Sequence, residues 1–404
     1  MTKLNHHFTK LSEDPFFSII ERRVSAFREQ NPSLPLFDLA TSTATRPLAP
    51  CIAAALENAV REISHAALFR GDYATLRNAI VKDEYAKLGI QEDEIFISES
   101  AKNDVSHIGE IFALENRIAV PDPADPVYVD SNVIAGRTRL SLKTGGFGGV
   151  VYLPCTAANQ FIPSLPNRPC DLIYLSSPNP ITGIAIPKAS LEEWVAYAKK
   201  NDAILIFDGS YSAYVRSPDC PSSIYEIAGA KEVAIEIRSL AKTIGCMEIQ
   251  VAYTVIPHAL KIAHGYQSIS LHSLWKRRQE VKASTVSYPM QKAAAAFYTE
   301  SGREEVKQIL DSYLWQAASL RKNLTDLGWT VFGGIDAPYL WLKTPSALSS
   351  WEFFELLLTK GQILTLPGLG FGTGGEGYVR LSTFGSTATM AGSLKRFQEV
   401  RSLC

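Results

Sequence analysis

Nowhere in this 404-residue chain do about 18 apolar residues run together, so no segment qualifies as a membrane-spanning helix. The stretch Met1 to Thr9 has His6-His7 and polar residues but no apolar core after a basic start, so no export leader is read there. An excess of one charge is missing too. Lys and Arg number 40 against 41 Asp and Glu, a formal net charge of -1, which removes the electrostatic argument for nucleic acid or an anionic membrane as partner. The six cysteines, at 51, 155, 170, 220, 246 and 404, form no Cys-x-x-Cys and no tight His/Cys cluster. Neither a disulfide framework nor a zinc site is indicated, no metal is expected, and the thiols read as reduced and mostly core. Internal repeats and low-complexity tracts are absent as well. A cytoplasmic globular protein is the expectation.

What is present is an alternation. Short β-rich runs cover 94–97, 117–120, 171–175, 203–207, 233–237 and 251–256, nearly all continuously apolar. Such runs suit strands buried on both faces of a parallel sheet, and helical stretches lie between them. One is 190–200, where Ser190 and Glu193 have capping-box spacing and Trp194, Tyr197 and Ala198 share a face. Another begins near Ser301, with Glu304 as its capping glutamate, and stops at Gly328. Beyond it, strands are expected at 329–332, 339–342, 363–366 and 378–382, and helices at 350–360 and 387–401. The fold class is therefore α/β: a mostly parallel central sheet flanked by helices, with a smaller α+β domain. The expected division is an N-terminal segment 1–45 joining the small domain, a large domain 46–290, and a C-terminal domain 291–404.

Chemistry gathers at a few positions. Asp208, in Phe207-Asp208-Gly209-Ser210-Tyr211, ends a predicted strand, where ligands of open α/β sheets bind. Downstream, Lys242 lies in Ser239-Leu240-Ala241-Lys242-Thr243-Ile244-Gly245. A lysine amine can hold pyridoxal 5'-phosphate as a Schiff base, and an aspartate facing the pyridine nitrogen keeps that ring an electron sink. Taken alone, Asp208 also reads as a turn and Lys242 as a solvated lysine. Ser239 is placed to bond a phosphate. Ser100-Ala101-Lys102 follows a strand and opens a helix, so its free amides either hold a phosphate or serve as an ordinary cap. Arg380, on an otherwise apolar strand, matches a substrate carboxylate or else makes a salt bridge. The run Gly368 to Gly375 lacks the Gly-Lys-Ser/Thr ending of a nucleotide loop and reads as a flexible loop near the site, which argues against a nucleotide-binding enzyme.

Five longer stretches, Tyr128 to Ile134, Ala234 to Lys242, Tyr253 to Pro257, Ala337 to Trp341 and Pro367 to Ser382, resemble fold-type I aminotransferases, and within them the LL-diaminopimelate aminotransferase group. The resemblance implies a pyridoxal-phosphate enzyme acting on an amino acid or keto acid, and a homodimer. It makes Lys242 the Schiff-base lysine, Asp208 the partner of the pyridine nitrogen, Tyr211 a donor to the cofactor's phenolic oxygen, Ser239 a phosphate ligand and Arg380 the carboxylate clamp.

Departures from the family pattern fall on the same pocket. Gln250 stands where the family has a phosphate-binding arginine. Ser177-Pro178-Asn179-Pro180-Ile181-Thr182-Gly183 leaves Pro180, or a shifted Asn179, in place of an asparagine that meets the phenolic oxygen. Asp125 replaces a stacking aromatic, and Ser284 an asparagine supplied across the dimer. The loop that crosses to the neighbouring subunit shortens to Arg70-Gly71-Asp72-Tyr73-Ala74, with Tyr73 its remaining tyrosine, and the substrate-side motif becomes Ser42-Thr43-Ala44-Thr45. Two readings result. One is a divergent enzyme that keeps Lys242 chemistry on an amino acid other than diaminopimelate. The other is a cofactor-free descendant, repurposed for binding or for different chemistry.

Overall fold

The computed structural model describes residues 2–12, 15–65, 73–139, 146–345 and 348–403. Of the shortened loop, residues 70–72 fall outside that set.

Seven strands form the main sheet, in the spatial order Ile95–Ser98, Ala252–Val255, Ala234–Ser239, Ile204–Asp208, Leu172–Ser176, Ile118–Asp122 and Val150–Pro154. Only Ala252–Val255 runs antiparallel to its neighbours. The central strands bury nearly every side chain, because helices cover both faces, and this is why their sequences run apolar without alternation. Each face has its own core. Trp194, Leu205, Phe207 and Tyr253 pack on one side, and Val120, Tyr128, Tyr174 and Trp275 on the other.

A second sheet is antiparallel, in the order Val331–Gly333, Tyr339–Lys343, Tyr378–Ser382 and Leu366–Pro367. The N-terminal segment reaches it: Phe37–Asp38 pairs in parallel with Ile363–Leu364, and Leu39 enters that core. Residues near the start also touch the main-sheet side, where Lys10 Nζ donates to the Thr138 carbonyl at 2.7 Å. Among the described residues no helix is long and apolar enough to cross a membrane.

Both capping boxes read from the sequence are displaced. The helix expected at 190 begins at Lys188, after Pro187 has fixed an extended entry, so Ser190 already lies inside it. The long helix runs Glu300–Asp326, capped by the Thr299 hydroxyl, which accepts from Gly302 N at 3.1 Å. Glu304 accepts instead from the Gln308 amide, one turn on. The thiols also differ from expectation: Cys155 and Cys170 are buried, but Cys51, Cys220 and Cys246 are only partly so.

The glycine-rich run is not a loose loop. It forms two short turns, Gly368–Phe371 and Thr373–Gly375, clasped by the Asp122 carboxylate. That carboxylate accepts from Gly374 N and from the Thr373 hydroxyl, both at 2.9 Å. Gly372 sits at φ +124°, and a Cβ there would lie 2.1 Å from Asp122 Oδ1, so the close approach requires glycine.

Candidate active site

Asp208 and Lys242 stand at the same end of neighbouring parallel strands. Asp208 is the last residue of Ile204–Asp208, in register with Ile237, and the adjacent strand ends two residues later at Ser239. There the chain turns into the short helix Leu240–Ile244. Ser239 caps it, its hydroxyl accepting from Lys242 N at 3.4 Å, and Gly245 closes it in a left-handed conformation.

Neither side chain has an ionic partner among the described residues. Asp208 Oδ2 accepts from the Tyr128 hydroxyl at 2.7 Å and Oδ1 from Ser210 N at 3.0 Å. Burial still raises its pKa above the usual carboxylate value, the two hydrogen bonds only moderating the shift. Lys242 Nζ lies 5.3 Å from the centre of the Tyr211 ring and donates to the Ser42 carbonyl at 3.4 Å. Desolvation lowers its pKa, which favours the neutral, nucleophilic amine. The fields of Asp208 and Asp125 both reach Lys242, which places the three in one electrostatic environment.

Arg380 closes the other side. It comes from Tyr378–Ser382, paired with Trp341 across the second sheet. Its guanidinium lies 4.8 Å from the Tyr339 ring centre and 5.2 Å from that of Phe371. The acceptors it meets are all neutral: the Pro180 carbonyl at 3.3 Å, the Ala40 carbonyl at 3.2 Å and the Ser42 hydroxyl at 3.0 Å. Arg380 Nε is buried without a partner. The alternative of a salt bridge is thus not realised among the described residues, and a 5% exposed cation is left without an anion. Tyr211 completes the floor, its hydroxyl 2.8 Å from that of Tyr339. Gly183 lets the two sheets meet here: a Cβ on it would lie 2.3 Å from the Tyr339 carbonyl oxygen.

A half-buried amine, a half-buried carboxylate and a buried guanidinium, none with an ionic partner among the described residues, form the constellation that amino-group chemistry on a carbonyl cofactor needs, and the comparisons agree. A family model described as "Aminotransferase class I and II" matches residues 149–397. An LL-diaminopimelate aminotransferase of Parabacteroides distasonis is 43% identical, over 95% of this chain and 96% of its own length. The chain belongs to the class I and II aminotransferases.

A further aminotransferase relative, an LL-diaminopimelate aminotransferase of Methanosphaera stadtmanae, is 40% identical over 98% of this chain and 99% of its own. The solved L,L-diaminopimelate aminotransferase from Chlamydomonas reinhardtii superposes with a TM-score of 0.94 at 36% identity, covering 98% of each chain. These names stand against the sequence-based exclusion of diaminopimelate, which rested on altered positions that leave the overall likeness intact. Membership also sets aside the cofactor-free reading, since aminotransferases of this class depend on pyridoxal phosphate.

The residues here fit that cofactor. Asp208 offers a half-buried carboxylate with no cation beside it among the described residues, Lys242 a desolvated amine, and Ser239 a buried hydroxyl at the end of the adjacent strand. Ser100 is the residue before the helix Ala101–His107; its hydroxyl makes no cap bond, Ala101 is buried and Lys102 exposed.

Other aminotransferase-motif positions are engaged elsewhere. Asn179 is spent on its own turn, Oδ1 accepting from Ile181 N at 2.8 Å and Thr182 N at 3.3 Å, with Nδ2 directed at the Pro123 carbonyl at 3.4 Å. Gln250 is exposed and donates to the Met247 carbonyl at 2.6 Å. The Tyr73 hydroxyl accepts from Val286 N at 2.8 Å. Asp125 Oδ1 accepts from Val127 N at 3.0 Å. Two site residues escaped the sequence reading. Tyr128 orients Asp208, and Tyr339 pairs with Tyr211; the available signal was only that a buried tyrosine needs a partner for its hydroxyl.

Proposed function

We propose that this aminotransferase moves the amino group of LL-diaminopimelate to a 2-oxo acid, working as a homodimer. The observation that carries the reading is Arg380, a buried guanidinium fork whose protein acceptors are all neutral and which therefore suits a substrate α-carboxylate. The relatives, LL-diaminopimelate aminotransferases by name, suggest the substrate.

Bound pyridoxal phosphate supplies the aldehyde and the electron-accepting ring. The chain's own residues do the rest. Lys242 Nζ takes the proton from the substrate α-carbon, because desolvation lowers its pKa and favours the neutral amine that can accept one. Asp208, held by Tyr128 and Ser210, would hold the ring nitrogen, whose positive charge favours the ionised carboxylate. Tyr211 would donate to the cofactor's phenolic oxygen, and Ser239 and the amides after Ser100 would hold its phosphate. Arg380 fixes the carboxylate against the rings of Tyr339 and Phe371. Ser42, touching both Lys242 and Arg380, sits where the substrate's two charged ends must come together.

The test is an assay of purified protein with added pyridoxal phosphate, LL-diaminopimelate and a panel of 2-oxo acids, following the new amino acid by chromatography. Turnover is expected with wild type, and Arg380→Lys should raise KM at least about tenfold, since a point charge cannot replace the fork. Turnover of other amino acids with none of LL-diaminopimelate would overturn the substrate assignment.

A further inference from the structure

At the edge of the main sheet, three side chains from separate elements converge. Asp93 lies in the turn Glu92–Glu94 that enters the edge strand Ile95–Ser98, and His258 follows the antiparallel strand Ala252–Val255. His272 is the second residue of the helix Leu271–Lys282. Because Ile95 pairs with Val255, the two turns meet at one end of the sheet. It is the end opposite Lys242: the edge strand runs away from Asp93 toward Ser98 and Ser100. One nitrogen of each imidazole and one carboxylate oxygen of Asp93 lie within 4.8 Å of one another.

The local hydrogen bonds prepare these groups as ligands. His272 Nε2 is 2.9 Å from the Asp93 carbonyl oxygen, which can only accept, so that nitrogen carries the hydrogen and the neutral ring presents a bare Nδ1. A backbone carbonyl behind an imidazole is the usual device for orienting a metal-binding histidine. His272 is itself buried, with its ring 5.0 Å from that of Phe96. His258 is fixed by its backbone, which donates to the buried Glu94 carboxylate at 2.6 Å. Its ring centre lies 4.1 Å from that of His272, and Nε2 is 2.9 Å from Asp93 Oδ2, a hydrogen bond whose proton an ion bound between the two would displace to solvent.

We propose that Asp93, His258 and His272 bind a divalent ion of the zinc class. Two imidazoles and one carboxylate are a borderline donor set suited to zinc, with a fourth position open to water on the exposed side of Asp93 and His258. Zinc bonds of about 2.0–2.2 Å in a tetrahedron put ligand atoms about 3.4 Å apart, so no pair closes by more than about 1.4 Å, and His258 Nε2 and Asp93 Oδ2, if both bind, separate by about 0.5 Å. That movement falls on Asp93 and His258, the two exposed side chains, while His272 stays in place. The ion would staple the edge strand to the turn after its partner and to the helix. The three residues gave no sequence motif, because His258 lies 165 positions from Asp93 and no cysteine is involved.

The experiment uses the full chain, stripped with chelator and titrated with Zn(II) against a chromophoric competitor, and with Co(II), whose visible absorption reports a tetrahedral field. One equivalent should bind, and zinc should raise the melting temperature. His258→Ala and His272→Ala should each weaken binding at least about tenfold and abolish the thermal shift. The vicinal pair His6 and His7, with ring centres 4.1 Å apart, is the competing site, and changing both to alanine should leave binding unchanged. Binding weaker than about 1 mM, binding that survives His258→Ala, or binding lost with His6 and His7 would each overturn the assignment.

Discussion

Burial acts on Lys242 and Asp208 in opposite directions on the pKa scale but to the same end, disfavouring the charged form of each. The fold therefore bears a cost at these two positions that only a ligand relieves. For Lys242 the folded-state pKa lies below the ordinary 10.5. Its penalty is complete below the lowered value, shrinks above it, and disappears past 10.5, where the unfolded chain also loses the proton. Lys242→Met should accordingly raise the melting temperature of cofactor-free protein most at neutral and acidic pH, with the gain fading toward pH 10.5, while abolishing turnover. Melting curves across that range check it; an equal gain at every pH would mean that packing, not charge, is responsible. At this scale the sequence pointed to Lys242, Asp208, Tyr211 and Arg380, which the structure brings to one place and whose roles are those proposed above. It was silent on Tyr128 and Tyr339, because a tyrosine among apolar neighbours reads as core until its hydroxyl is seen to meet something. Asn179 misleads for the converse reason, since whether an amide faces a pocket or closes its own turn is decided by local geometry.

Elements were legible in proportion to the strength of their local signals. The strand Tyr378–Ser382 and the helix Thr387–Arg401 have the bounds that their patterns predict. The edge strand Val150–Pro154 was missed, a short run just after a glycine-rich stretch and ending in proline. Capping boxes failed because the Ser-x-x-Glu spacing recurs inside helices, and the true starts were set by Pro187 and Thr299. The glycine-rich run was misjudged because its rigidity comes from Asp122, distant in sequence. Removing that carboxylate leaves Gly374 N and the Thr373 hydroxyl unpaired at the seam between the two sheets. Asp122→Ala should thus cost about 1–3 kcal/mol in urea unfolding. It should also raise KM more than it lowers kcat, since Phe371, which rests on Arg380, belongs to the same pair of turns. A variant with unchanged stability would show that the clasp carries no strain-bearing role.

For the whole molecule, the fold class was readable because parallel sheets covered on both faces leave uninterrupted apolar runs. Assembly was not, since apolar side chains on a helix say nothing of what covers them. Val60 and Ile63, on the helix Pro50–His65, are 51% and 40% exposed in the single chain. They lie just before the stretch expected to cross between subunits. The proposed homodimer should sediment at twice the 44.4 kDa chain mass, and the paired changes Val60→Asp and Ile63→Asp should shift it toward monomer. A wild-type monomer at working concentration would refute this. Ser42, finally, offers its carbonyl to Lys242 and its hydroxyl to Arg380. One residue of the segment after Phe37–Asp38 thus joins an amine carried by the main sheet to a guanidinium carried by the antiparallel one.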